Sequence, residues 1–167
     1  YTYTSSTTAR QLLSTMVGQL KKHLSPAILV KADELGLDRH ELLTLASIIQ
    51  KEAGNVMEMP LISAVFHNRL KRGIALQADP TVIYGIADFD GNLTRKHLET
   101  PTPYNTYRKR GLPPGPIASP GQFALRAAVN PADTKALYFV AKGDGTHEFN
   151  TTLKEHNRAV RRYQLRR

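Results

Sequence analysis

Glu41-Leu-Leu-Thr-Leu-Ala-Ser-Ile-Ile-Gln-Lys-Glu-Ala-Gly54 is the stretch on which the fold turns. Leu42, Leu45, Ile49 and Glu52 recur at three- and four-residue spacing, which puts them on one helix face and predicts that this face is buried. Asp38, with Glu41 three residues on, is a capping box that starts the helix, and Gly54 reads as its C-terminal stop. Glu52 is the anomaly on that face. Burial penalises the ionised carboxylate, and so does the partial negative charge of a helix C-terminus, so the position favours a protonated acid. A proton-bearing carboxyl in an apolar cleft is what a general acid requires. Two plainer readings stand beside this one: a structural ion pair with an arginine, or an exposed helix end.

Upstream, Thr8 to Leu24 reads as an amphipathic helix with Leu12, Leu13, Met16, Leu20 and Leu24 inward, ended by Ser25-Pro26, and a short helix around Ala27 to Leu35 closes at Gly36. Downstream, Pro60 suits the first turn of a helix that carries Leu61, Ile62, Val65, Phe66 and Leu70 and stops at Gly73. The three longer helices are expected to form the core. From Gln77 to Gly121, Pro and Gly recur densely and only short apolar runs intervene, so a long irregular segment is expected. Burial-seeking groups in Thr81-Val-Ile-Tyr-Gly-Ile86 and Tyr104-Asn-Thr-Tyr107 argue for order there rather than disorder. Ser119, Pro120 and Gln122 read as a second capping box opening a helix to about Val129. Ala136 to Ala141 reads as a strand, Gly143-Asp-Gly145 as a turn and His147 to Asn150 as its partner strand. A last helix from Thr152 carries Leu153, His156, Val160 and Tyr163 on one side. The fold class is therefore α+β: a helix-rich single domain with a small β-sheet and a long Pro/Gly-rich irregular middle.

The chain has 167 residues, 41% hydrophobic and 22% charged, enough for one domain with a real core. Cysteine is absent, which excludes disulfides and thiolate metal sites. No run approaches the length of a membrane span and no signal peptide is read. The chain opens at Tyr1, and the expectation is that it is excised from a longer protein. A net charge of +9 implies an anionic partner or surface. The basic clusters (Lys21 and Lys22, Arg69 to Arg72, Arg108 to Arg110, and Arg158 to the Arg166-Arg167 end) each read as solvated faces. No aromatic-and-basic signature of a nucleic-acid-binding sheet is present.

The six histidines lack metal-ligand spacing, so no metal and no cofactor is expected, and neither a phosphate-cradling loop nor a G-x-S-x-G elbow occurs. His156 reads as a satisfied core histidine, whereas His147 is placed to face a cleft. What remains is a candidate buried acid with many neutral hydrogen-bonding residues, a lining that suits sugars.

The strings LASIIQKEAG (45–54), AVFHNRL (64–70), LQADPTVIYG (76–85), LETPTPYNTY (98–107), GLPPGPIASPG (111–121) and LYFVAKGDGTHEFNTTLKEHN (137–157) closely resemble the YceG-like family of endolytic murein (peptidoglycan) transglycosylases, the MltG type. The resemblance covers the whole chain in order, and 1–167 is expected to be the catalytic domain, with the membrane anchor and LysM-like region of family members lying upstream. It implies lytic cleavage of the MurNAc–GlcNAc bond at the outer, periplasmic side of the bacterial cytoplasmic membrane, leaving 1,6-anhydroMurNAc ends. The implied partners are peptidoglycan glycan strands and the penicillin-binding synthases, without nucleic acid. The family's catalytic glutamate falls on Glu52, acting as acid and then as base. Gln77, Asn105, Tyr107, His147 and Asn150 match family strings and are candidate substrate-binding residues, with structural caps and loop ties as the alternative for each. Asp79 and Glu99 are the candidate second acids should the chemistry be hydrolytic; for Asp79, which precedes Pro80, a helix cap is the alternative reading. A basic glycan- or nucleic-acid-binding module without catalysis is the alternative from another class. At position 50 several members of the family carry glutamate where this chain has Gln50, a residue expected to point away from Glu52.

Overall fold

The computed structural model describes residues 2–165; Tyr1, read as the start of the domain, and the basic Arg166-Arg167 end lie outside the described residues. The helix that decides the fold, α3, runs Arg39–Glu52 after α1 (Ala9–His23) and α2 (Pro26–Glu34). Its capping box forms as expected: Asp38 Oδ1 accepts the Glu41 N–H at 2.8 Å and the Glu41 carboxylate accepts the Asp38 N–H at 3.0 Å. Leu42, Leu45, Ile48 and Ile49 are fully buried. α4 (Met59–Lys71) packs on α3 through Ile62 and Phe66, and α7 (Gln122–Ala128) through Ala124 and Leu125.

Two expectations about this core change. α1 has no buried residue and leaves Leu13 60% and Val17 50% exposed; it touches the core only through the half-buried Leu20 and Leu24. The third core helix is the short α7, rich in small residues that let it approach α3 closely. The capping box expected at Ser119 and Gln122 is not formed either. The N-cap is Gly121, whose N–H is taken by Gln50 Oε1 across the fold at 3.0 Å.

The irregular middle is largely as expected, with two short helices that its sequence reading did not place. Between Gln77 and Gly121 lie two short helices, α5 (Asp79–Tyr84) and α6 (Arg95–Glu99). Pro80 suits the first turn of α5 because its missing N–H would have had no intrahelical partner. Asp79 is the first residue of that helix, and no side chain caps it. α6 is held by a box between Thr94 and His97. The remainder, 111–121, runs along α3 and spends its backbone on that helix's polar side. His40 Nε2 meets the Pro114 carbonyl at 2.7 Å, and the Ile117 N–H donates to Ser47 Oγ at 2.9 Å. With the Gln50 contact, three side chains of α3 thus satisfy a segment that has no regular hydrogen bonding of its own.

β1 (Tyr138–Ala141) and β2 (His147–Asn150) pair antiparallel, with Phe139 opposite Phe149 and Ala141 opposite His147. The hairpin turn closes onto the end of α3. Gly54 does not stop the helix by a left-handed conformation, since it lies outside the positive-φ residues and the C-cap is an extended Ala53. A Cβ on Gly54 would sit 2.7 Å from the Gly145 carbonyl oxygen, so glycine there permits the hairpin to dock. α8 (Leu153–Tyr163) follows, with a Thr152–Glu155 box, and lies against both strands.

Candidate active site

Glu52 occupies the last turn of α3 and opens into a cleft of about 500 Å³. The cleft is lined by the α3 end, by Leu76, Gln77 and Asp79, by β1 and His147, and by α8 through Leu153, His156, Asn157 and Val160. Burial pushes the Glu52 carboxyl up to about 8, and the negative charge of nearby Asp79 adds to the effect. The group therefore carries its proton at neutral pH. Among the described residues it makes no ion pair, so none of their arginines gives it the structural pairing that is the plainer reading.

Asp79 lies in the same cleft and accepts the Tyr107 hydroxyl at 2.6 Å. Tyr107 is itself pushed above the usual phenol range, first by burial, then by that hydrogen bond and by the charges of Asp79 and Glu52. His147 is held from two directions by Glu58, which takes the ring Nδ1 at 2.7 Å and the backbone N–H at 3.0 Å. Only Nε2 of His147 is left for the cleft. Glu58 is in turn set by Asn55, whose Oδ1 accepts the Glu58 and Met57 N–H groups.

Of the sequence-derived site residues, Glu52, Gln77, Tyr107 and His147 come together here, and two do not. Asn105 is fully buried and is not part of the cleft lining. Its amide donates to the carbonyls of His97, Leu98 and Thr100 at 3.3, 3.0 and 2.7 Å, and its Oδ1 accepts the Tyr107 N–H. It ties the loop that carries Tyr107. Asn150 is buried beside β1, its carbonyl accepting the Leu137 N–H, and is not part of the cleft lining. Glu99 pairs with Arg95 on the surface, which leaves Asp79 as the second carboxylate of the cleft. Gln50, facing Gly121, points away as expected.

Four residues escape a reading of local pattern: Glu58, Arg69, Tyr138 and the cleft-facing His156. Arg69 belongs to an apparently solvated basic cluster yet is buried, its Nε donating to the Leu137 carbonyl at 2.6 Å and its guanidinium 5.0 Å from the Tyr138 ring. His156 is not a satisfied core histidine. It stacks on Tyr138 at 5.3 Å, its buried Nδ1 has no hydrogen-bond partner, and burial with the nearby Arg69 charge lowers its basicity. Among the described residues no group of three or more His, Cys, Asp or Glu is arranged to hold a metal, and no helix is long and apolar enough to cross a membrane.

The fold and cleft define a helix-rich α+β domain built around a single proton-bearing glutamate with an acidic and a hydroxylated neighbour. The chain belongs to the YceG-like family, whose model matches residues 1–162. It is 47% identical over 124 residues to the endolytic murein transglycosylase of Bacillus subtilis (strain 168), covering 74% of this chain and 34% of that protein. It is 33% identical over 167 residues to the protein of the same name from Streptococcus pneumoniae serotype 2, covering 96% of this chain and 30% of the relative. A crystal structure of a YceG-like protein from Listeria monocytogenes superposes with a TM-score of 0.84 at 36% identity, over 95% of this chain and 51% of that one. The chain spans about a third of the length of the curated relatives it matches.

Proposed function

We propose that this domain is a peptidoglycan lytic transglycosylase that cuts the β-1,4 bond between N-acetylmuramic acid and N-acetylglucosamine within glycan strands. The observation that carries the reading is Glu52, a carboxyl that holds its proton to about pH 8 at the end of a helix opening into a polar cleft. In the first step Glu52 gives its proton to the glycosidic oxygen as the bond from that oxygen to muramic C1 breaks, and the N-acetylglucosamine portion leaves as an alcohol. The Glu52 carboxylate then takes the proton of the muramic C6 hydroxyl while O6 bonds to C1, closing the 1,6-anhydro ring and restoring the acid. No water is consumed. Tyr107, Gln77 and His147 Nε2 supply hydrogen-bonding groups along the strand. The names of the relatives support the substrate class, and the family resemblance implies work at the outer face of the cytoplasmic membrane, beside peptidoglycan synthases.

A second reading rests on Asp79, a carboxylate in the same cleft that a hydrolytic muramidase would use to activate water. Product mass on purified sacculi separates the two. Anhydro-ended fragments from the wild type, falling by roughly 10²–10⁴-fold in Glu52→Gln, are expected. Fragments heavier by one water favour the muramidase, an unimpaired Gln variant removes Glu52 from the chemistry, and absence of any fragments leaves a binding module.

A further inference from the structure

Gln77 is the only non-glycine residue with a left-handed backbone among the described residues, at φ 52°. A side chain in that region is strained, and such strain persists only where the surroundings enforce it. Here they do. The Gln77 N–H is bound to the Thr106 carbonyl at 3.1 Å, and its neighbours Leu76 and Ala78 are buried. Arg69 fastens the segment from behind. One guanidinium nitrogen, Nη1, shares its two hydrogens among the carbonyls of Ala75 and Leu76 at 3.0 Å each and Gln77 Oε1 at 3.1 Å.

That last contact fixes the amide. A guanidinium can only donate, so the Gln77 oxygen must face Arg69 and the NH2 group must face the other way. Among the described residues Gln77 Nε2 has no hydrogen-bond partner, and the residue is exposed in the cleft with Glu52 and Asp79. Arg69 is 6% exposed and, among the described residues, makes no ion pair; its Nε and Nη1 donors go to neutral oxygens. Binding a cation at the oxygen polarises the amide and strengthens its N–H donors. The cleft therefore holds a strained, oriented, donor-only group with nothing of its own to bind.

We propose that Gln77 reads the acetamido carbonyl of an N-acetylated sugar in the Glu52 cleft, with Arg69 as the residue that positions its amide. Sugar hydroxyls both donate and accept, whereas the acetamido oxygen only accepts and is the strongest neutral acceptor on such a glycan. A donor-only pair therefore prefers acetylated to deacetylated sugar. The inference rests on the glycan reading above and deepens it.

The test uses the Glu52→Gln protein as a non-cleaving parent and two probes, the β-1,4 tetramers of N-acetylglucosamine and of glucosamine, titrated by calorimetry. The parent is expected to bind the acetylated tetramer roughly ten-fold more tightly. Adding Gln77→Glu, which keeps an oxygen for Arg69 but loses the NH2, should abolish that preference, as should Gln77→Gly. Arg69→Lys, if it folds, should lose the preference and move the Gln77 side-chain NH2 resonances; the two Gln77 variants decide the matter if it does not. Equal binding of the two tetramers by the parent, no binding of either, or a preference kept in both Gln77 variants overturns the proposal. Anhydro-ended cleavage of sacculi by the wild type alongside such a result would leave the function standing and remove only this assignment.

Discussion

α1 and α3 carry similar instructions and meet different fates. Each has a capping box, each has apolar residues at helical spacing, and their lengths are 15 and 14 residues. α3 buries seven side chains and α1 buries none. The difference lies in what surrounds them. α3 is covered by α2, α4, α5 and α7 and flanked by the 111–121 segment, while α1 meets the body only through Leu20 and Leu24 at its end. Periodicity tells which face of a helix is apolar; it does not tell what will cover that face.

The contrast is sharpest at Leu45, fully buried at the centre of α3. Leu45→Ala should cost roughly 2–5 kcal/mol in chemical denaturation, since α4 and α7 cannot both close on the space it leaves. A loss under about 1 kcal/mol would break the comparison by showing that α3 is no better packed than α1. Glu52, on the same stripe, is expected to act in the opposite sense. Its ionisation centres near 4.5 in the unfolded chain and about 8 in the folded one, so between those values the folded state binds the proton more tightly. Stability attributable to this group therefore falls as pH rises through that window and is lowest above it. Glu52→Gln should flatten the slope and leave the variant more stable than wild type at pH 9 by on the order of 2 kcal/mol, a figure reduced because the residue is partly open to the cleft. Denaturation at pH 5 and pH 9 measures this, and equal slopes in the two proteins would mean that the carboxyl ionises normally. A stripe residue that destabilises the fold while serving the cleft is the trade expected of a functional site.

What was legible follows the range of the interactions. The α3 stripe, its box at Asp38, the hairpin and the start of the last helix at Thr152 are local patterns, and each formed where the residues placed it. Glu58 and His147 are 89 positions apart, and Arg69 meets Leu137 across 68. No spacing rule connects residues so distant, so an arginine in a basic run read as solvated and a glutamate after a helix end went unnoticed. The Pro/Gly-rich middle was legible as irregular, but not its two short helices or its ties. Its prolines suggested a backbone without regular hydrogen bonds, yet Pro80 opens α5, and Asn105 uses all its amide capacity to hold the loop between α6 and Tyr107. The family strings named Asn105 and Asn150 together with Gln77 and His147 because shared sequence marks ties and linings alike.

The smallest expected effect tests the exposed side of the comparison. Leu13 is 60% exposed in the middle of α1, among Arg10, Val17 and Lys21, and no core residue contacts it. Leu13→Ala removes little buried area there and replaces one good helix former by a better one, so its effect on stability should stay within about 0.5 kcal/mol of zero. The same substitution at Leu45 removes the same atoms from the same kind of stripe, so the difference between the two losses isolates the environment from the residue. A cost at Leu13 above roughly 1.5 kcal/mol, measured under the same conditions, would mean that the apolar face of α1 is covered in solution, because truncating an exposed leucine forfeits neither packing nor transfer energy on that scale. Such a result, obtained as a function of protein concentration, would also reveal whether the cover is a second copy of the chain, since only then would the cost grow with concentration.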